Sequence, residues 1–202
     1  MNRQTQIEAV LTFWFGEEGP EAVAPDATAA RWFQKDEAFD ETIRTRFGDL
    51  YEAARTGALD GWASTARGRL ALLIVLDQFP RNLFRGTRRA FESDARALAL
   101  ASEGVALGHD RAFAVDGRSF FYMPLMHAED RLAQQRCVDL FTALRDEMQG
   151  VARDRAERSL DFAIRHRDIV ERFGRFPHRN QALGRTSTPE ELAFLKEPGS
   201  SF

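Results

Sequence analysis

The chain has one cysteine, Cys137. No intrachain disulfide can form, and packing must hold the fold together. Cys137 sits in an amphipathic segment, where a small buried residue is the default. Lysine is nearly missing: Lys35 and Lys196 are the only two, so 26 of the 28 basic residues are arginine. A genome rich in G and C favours arginine codons. A planar guanidinium also forks onto carboxylate or phosphate in a way an ammonium cannot. Long apolar runs are absent. The longest, Leu70 to Leu76, is far short of the roughly 20 residues needed to span a bilayer. The first helical stretch carries Glu8 and lacks a small-residue cleavage site, so neither a membrane span nor a signal peptide is expected, and the expected location is cytoplasmic. With 31 acidic and 28 basic residues the net charge is −3. The arginines are interleaved with acids and no recognised module appears, so no nucleic-acid partner is expected. There is no nucleophile elbow, P-loop, Rossmann glycine fingerprint or H-E-x-x-H zinc motif, nor the Glu-x-x-His pair of di-iron bundles. The residues name no cofactor, and no metal site is assigned.

What the chain does have is helical spacing and an aromatic core of 17 Phe and three Trp. Its 202 residues suit one domain, 1–202, with a looser connection over 17–35 around Pro20 and Pro25 and a flexible tail over 197–202. A first helix is expected from a capping box of Thr5 and Glu8 to Gly16. A second begins near Asp36, lines Phe39, Ile43, Phe47, Leu50 and Ala54 on one face, and closes at Gly57. A third runs from Ser64 or Thr65 to Phe79 and halts before Pro80. It is apolar all round from Leu70 to Leu76 and is expected to be the most buried. A fourth spans about 93–108. A fifth spans about 117–148, with a kink or break at Pro124. A sixth covers about 152–173 and stops at Gly174. The seventh opens on Thr188, Pro189 and Glu191. About seven helices with short connections predict an all-α fold of antiparallel neighbours.

The polar chemistry is concentrated. Two corners carry almost the same string, Phe79-Pro80-Arg81-Asn82 with Arg85, and Phe176-Pro177-His178-Arg179-Asn180 with Arg185. Their separation is too great for a solenoid repeat unit. The match raises the case for a shared site beside the plainer reading that each turn caps the helix before it. Arg67 and Arg69 fall in the first turn of the third helix, where the helix dipole disfavours cations. Either an anion sits there or an internal carboxylate does, with Asp60, Asp77 and Glu129 as the options. Asp77 points to the core side and needs a partner, Arg81 or Arg175. His127 and Asp130 are three apart and read as one helix face. A metal would need a third ligand from His166, Asp168 or His178. His166 repeats the phase of Phe162, Ile169 and Phe173, so a hydrogen-bonded core histidine is the plain alternative to an acid/base role.

Several stretches resemble one family together: Phe13-Trp14-Phe15-Gly16, Arg31-Trp32-Phe33, Leu76-Asp77-Gln78-Phe79-Pro80-Arg81-Asn82, Phe120 to Asp130, His166-Arg167-Asp168-Ile169 and Gly174 to Asn180. The chain is similar over nearly its whole length to the bacterial domain-of-unknown-function 924 family. The resemblance implies a fold like tetratricopeptide α-α superhelices, and it implies no activity and no catalytic residues. It also leads one to expect a proline where Ala66 stands.

Three functions remain open. One is binding of a small anionic ligand or acidic peptide end, with Arg67, Arg69, Arg81, Asn82, Arg175, His178, Arg179 and Asn180 as ligand-binding residues. Another is a hydrolase using His127 or His166 as acid/base, oriented by Asp130 or Asp168. The third is a scaffold whose polar clusters are internal pairs.

Overall fold

A computed structural model describes residues 2–201. Met1, and Phe202 of the expected tail, lie outside the described residues. Among the described residues there are helices and no strands, as the 3.6-residue spacing predicts. Helix α1 (Arg3–Phe15) is capped by Asn2, whose side chain accepts from Thr5 N–H at 2.9 Å. The expected capping box of Thr5 and Glu8 does not form, because Glu8 turns to Arg67 instead. Helix α2 (Asp26–Arg31) occupies part of the stretch read as a loose connection. Helix α3 (Glu37–Arg55) starts at Asp36, which accepts from the N–H groups of Ala38 and Phe39, as its position before the apolar pattern predicts.

The centre of the molecule is one continuous rod. It is built of α4 (Ala66–Leu73), a π turn (Ile74–Gln78) and α5 (Phe79–Leu83). Leu70 through Leu76 are at most 1% exposed, and the rod packs against α1, α3, α6 (Asp94–Ala106) and α7 (Val115–Met126). The chain was expected to halt before Pro80, but it continues through it. Two features make that tolerable. The π turn inserts an extra residue, so that Phe79 N–H reaches back to Ile74 C=O. Pro80 has no N–H to give Leu76 C=O, and the Ser93 hydroxyl donates to that carbonyl instead at 2.5 Å. Both groups are buried, so Ser93→Ala should lower stability by about 1–3 kcal/mol through the orphaned carbonyl. Urea denaturation at neutral pH would test this, and an unchanged midpoint would count against it.

The long fifth helix is two helices. The break falls three residues past Pro124, and α8 (Arg131–Glu147) starts from Asp130, which caps it by accepting from Ala133 N–H at 2.7 Å. The fully buried Gln134 closes the break by donating to the carbonyls of Met126 and Ala128. Helix α9 (Gly150–Phe173) packs back along α8 and ends at Gly174 in the left-handed region (φ 71°). A short α10 (Asn180–Leu183) and α11 (Pro189–Phe194) follow. The capping box at Thr188 and Glu191 forms as expected. Among the described residues no helix is long and apolar enough to cross a membrane.

Candidate functional site

Helix α7 is buried along its whole length. One of its faces, Asp116, Ser119, Phe120, Met123 and Met126, does not reach other protein atoms on every side. It forms the floor of a cavity of about 630 Å³. That lies within the roughly 300–1,000 Å³ range of small-molecule sites. Helix α9 supplies a second wall with Arg155, Arg158, Ser159, Phe162 and His166. Trp32 and Phe33, just after α2, form the mouth. Trp32 is anchored by its indole N–H to Trp14 C=O at 2.9 Å and stands edge-on to Phe120, while Phe33 is 72% exposed.

The other end is polar and is built by both Phe-Pro corners. Arg81 and Arg179 meet on one carboxylate, Asp94, at 3.1 and 3.2 Å. The two corners thus bring these arginines side by side. Beneath them lies Asp77, 1% exposed, which accepts from Arg81 Nη2 (3.2 Å), Gln78 Nε2 (2.5 Å) and His127 Nδ1 (2.8 Å). Burial pushes the Asp77 carboxyl up, but His127 and the guanidinium of Arg81 outweigh it and hold it at about 2. Asp77 is thus ionised at neutral pH. Burial lowers the pKa of His127, and the charge of Arg81 lowers it further. Its imidazole is therefore neutral, with the proton on Nδ1 facing Asp77.

His166 is 5% exposed, and its Nδ1–H donates to Phe162 C=O at 2.8 Å. Its ring centre is 6.2 Å from that of His127, so the two histidines share one cluster. Burial, then the charge that His127 takes up in acid, lowers His166 to about 3; burial, then the charge of Arg179, lowers His178 to about 4. Arg179 is 6% exposed and lies between the rings of Phe91 and Phe176, at 4.7 and 4.5 Å. Among the described residues its Nε has no hydrogen-bond partner, as is also the case for Arg69, Arg81 and Arg96. Burial, with repulsion from Arg81, pulls its pKa down to about 10.

Other sequence candidates lie elsewhere. Arg67 pairs with Glu8 and Glu21, and Arg69 with Glu103 and Leu100 C=O. None of the carboxylates named in advance is their partner, and neither arginine lines the cavity. The Arg69 stem points inward because Gly104 has no Cβ to block it. Asp130 caps α8, so it does not share a face with His127. Asp168 is bound to Arg167 on the surface. Neither can orient the histidine it was matched with. Arg175 goes to Glu191 rather than Asp77, and Asn180 joins it there. Asn82 reaches the cavity but spends its amide on Asp40. Among the described residues no group of three or more His, Cys, Asp or Glu side chains could hold a metal ion.

The sequence motifs do not mark Trp32, Phe120, Met123, Arg155, Arg158 and Asp94 as site residues, yet all lie at the cavity or its arginine pair. A signal for some was present: Arg155, Ser159, Phe162 and His166 recur at three- to four-residue steps, a mixed polar and apolar stripe on one helix face.

A model described as a bacterial protein of unknown function (DUF924) matches residues 10–199. The solved structure of a protein of unknown function, ATU0120 from Agrobacterium tumefaciens, is similar with a TM-score of 0.79. It is 43% identical, and the match covers 96% of this chain and 99% of that one. No curated protein matches the chain. Arg81, His127, Asp77 and Arg179 all fall within the matched span, and the chain belongs to the DUF924 family of bacterial proteins.

Proposed function

We propose that the cavity binds a small anionic ligand with an apolar body, its charged end against Arg179. The observation that carries this reading is the Arg179 guanidinium: buried at the cavity wall, its Nε without a partner among the described residues and its one carboxylate shared with Arg81. A buried cation so placed is costly unless an anion completes its shell. Phe33, Phe120, Met123 and Phe162 supply the apolar body's surface. His127 and His166 add hydrogen-bonding edges. Arg85 and Arg155 contribute less, because each is already tied to its own carboxylate, Asp40 and Asp116.

The test is a thermal-shift panel of hexanoate, 3-phenylpropionate, phenyl phosphate, acetate and inorganic phosphate. A ligand present at 100 times its Kd stabilises by about 2.7 kcal/mol. In a chain of this size that raises Tm by about 5–10 °C. The amphipathic anions should do so and acetate should not. Arg179→Gln should erase the shift while leaving the fold intact, since Asp94 retains Arg81. If no anion moves the wild-type Tm and Arg179→Gln is simply more stable, the polar cluster is internal structure and the scaffold reading replaces this one.

A further inference from the structure

We propose that Asp77 and His127 form a general-base pair that activates water against an ester bond of the bound ligand; the inference rests on the anion-binding reading above. The arrangement has three parts. Asp77 is buried and fixed from three sides, and both its oxygens face His127 Nδ1, at 2.8 and 3.0 Å. His127 lines the cavity. Among the described residues no protein group hydrogen-bonds its Nε2, which therefore offers its lone pair to whatever the cavity holds. A carboxylate behind one ring nitrogen and open space before the other is the geometry of an oriented base. A purely structural carboxylate would have needed only Arg81 and Gln78, which already bond to it. The π turn that carries Asp77 fits as well, since such insertions within α-helices are frequent at functional sites.

Protein nucleophiles fit poorly. Cys137 is buried and its thiol points to Tyr122 C=O, with burial raising its pKa. The Ser119 hydroxyl donates to Val115 C=O. Ser159 sits two turns before His166, about 10 Å along α9. The nucleophile is therefore water. His127 Nε2 removes a proton as the water oxygen bonds to the acyl carbon. The tetrahedral intermediate then collapses, the acyl–alkoxy bond breaks, and the imidazolium gives that proton to the leaving alkoxide. The carboxylic acid product loses its own proton to solvent. One water is consumed and no other reactant is needed. Arg179 would hold the free carboxylate of the substrate, so the substrate class is a monoester of a dicarboxylic acid or an ester with an anionic tail.

The groups that face the His127 ring set its titration: Asp77 in the π turn, Arg81 on α5, Asp94 on α6, His166 on α9, and His178 and Arg179 at the second corner. The probe is the mono-4-nitrophenyl ester of adipic acid, with neutral 4-nitrophenyl hexanoate as comparison. Wild type should release 4-nitrophenolate well above buffer, with kcat/KM rising with pH to a plateau through an inflection below about 6.5. His127→Gln should lose about 10²–10⁴-fold. Asp77→Asn should lower kcat with little change in KM and move the inflection to lower pH, which a merely structural carboxylate would not do. Arg179→Gln should erase the preference for the anionic ester. If the monoester raises the wild-type Tm yet is cleaved no faster than by His127→Gln, the base pair is wrong and the binding reading survives. If it neither binds nor is cleaved, both fail. The wild-type pH profile reads the base without any variant, so poor folding of a mutant leaves the question decidable.

Discussion

Asp77→Ala should be the most damaging single polar substitution, lowering stability by about 3–5 kcal/mol. The carboxylate is 1% exposed and serves Arg81, Gln78 and His127 together. Removing it leaves a guanidinium, an amide and an imidazole facing a void. Arg81 is 21% exposed toward the cavity and keeps Asp94, so part of its loss is recovered by water and by that second carboxylate. This keeps the estimate below what two fully dry charges would give. Asp77→Asn retains the shape and one acceptor oxygen, and should cost distinctly less. Equilibrium urea unfolding of the two variants would decide. Equal, small losses would mean that the network around Asp77 is dispensable. The pH dependence has a definite sign. The folded pKa of Asp77 is depressed to about 2 from an ordinary 3.8. Its contribution is therefore complete above about pH 4 and is lost as pH falls through about 2.

Acid should destabilise the protein well before that carboxylate titrates. His166 titrates at about 3 and His178 at about 4 in the fold, against an ordinary 6.5. Below pH 6.5 the unfolded chain binds protons at these positions that the folded chain refuses. Stability is therefore full above about 6.5 and falls steadily toward pH 3–4. For His166, 5% exposed, the loss is on the order of 3–5 kcal/mol over that window. His178, less deeply placed, adds a smaller share. Urea midpoints at pH 7, 5.5 and 4.5 should fall in that order. His166→Gln, which does not titrate, should flatten the slope. A wild-type midpoint that stays constant from pH 7 to 4.5 would mean that the imidazoles are not held neutral in a dry cluster.

The residues that line the cavity come from segments spread along the chain, from Ala29 to Arg179. That spacing explains how much could be read in advance. Local physics was legible. The 3.6-residue apolar spacing, Asp36 before Phe39, Gly174 after Phe173, and Thr188 with Glu191 act within one turn, so a linear string displays them. The all-α class followed, and so did the burial of Leu70 to Leu76. Pro80 was misread because the outcome depended on a distant partner. The hydroxyl of Ser93, on the other side of the corner, replaces the hydrogen bond that proline removes. The fifth helix divided where Gln134 could reach back to its last carbonyls, again a choice made by packing.

Charge pairing was the least legible feature. The sequence by itself determined that many guanidiniums must find acceptors and that Asp77 must be satisfied within the core. It also marked both Phe-Pro corners, His127 and His166 as the unusual chemistry of the chain. Only the tertiary structure decided which carboxylate each arginine meets, because an ion pair depends on separation in space and any of 31 acids was eligible. It sent Arg67 to Glu8, Arg175 to Glu191 and Asp130 to a helix cap. It brought Arg81 and Arg179 onto one shared Asp94, leaving a buried guanidinium incompletely answered at the wall of a cavity. That last fact follows from how α7 and α9 leave space between them, and packing of this kind has no signature in one dimension.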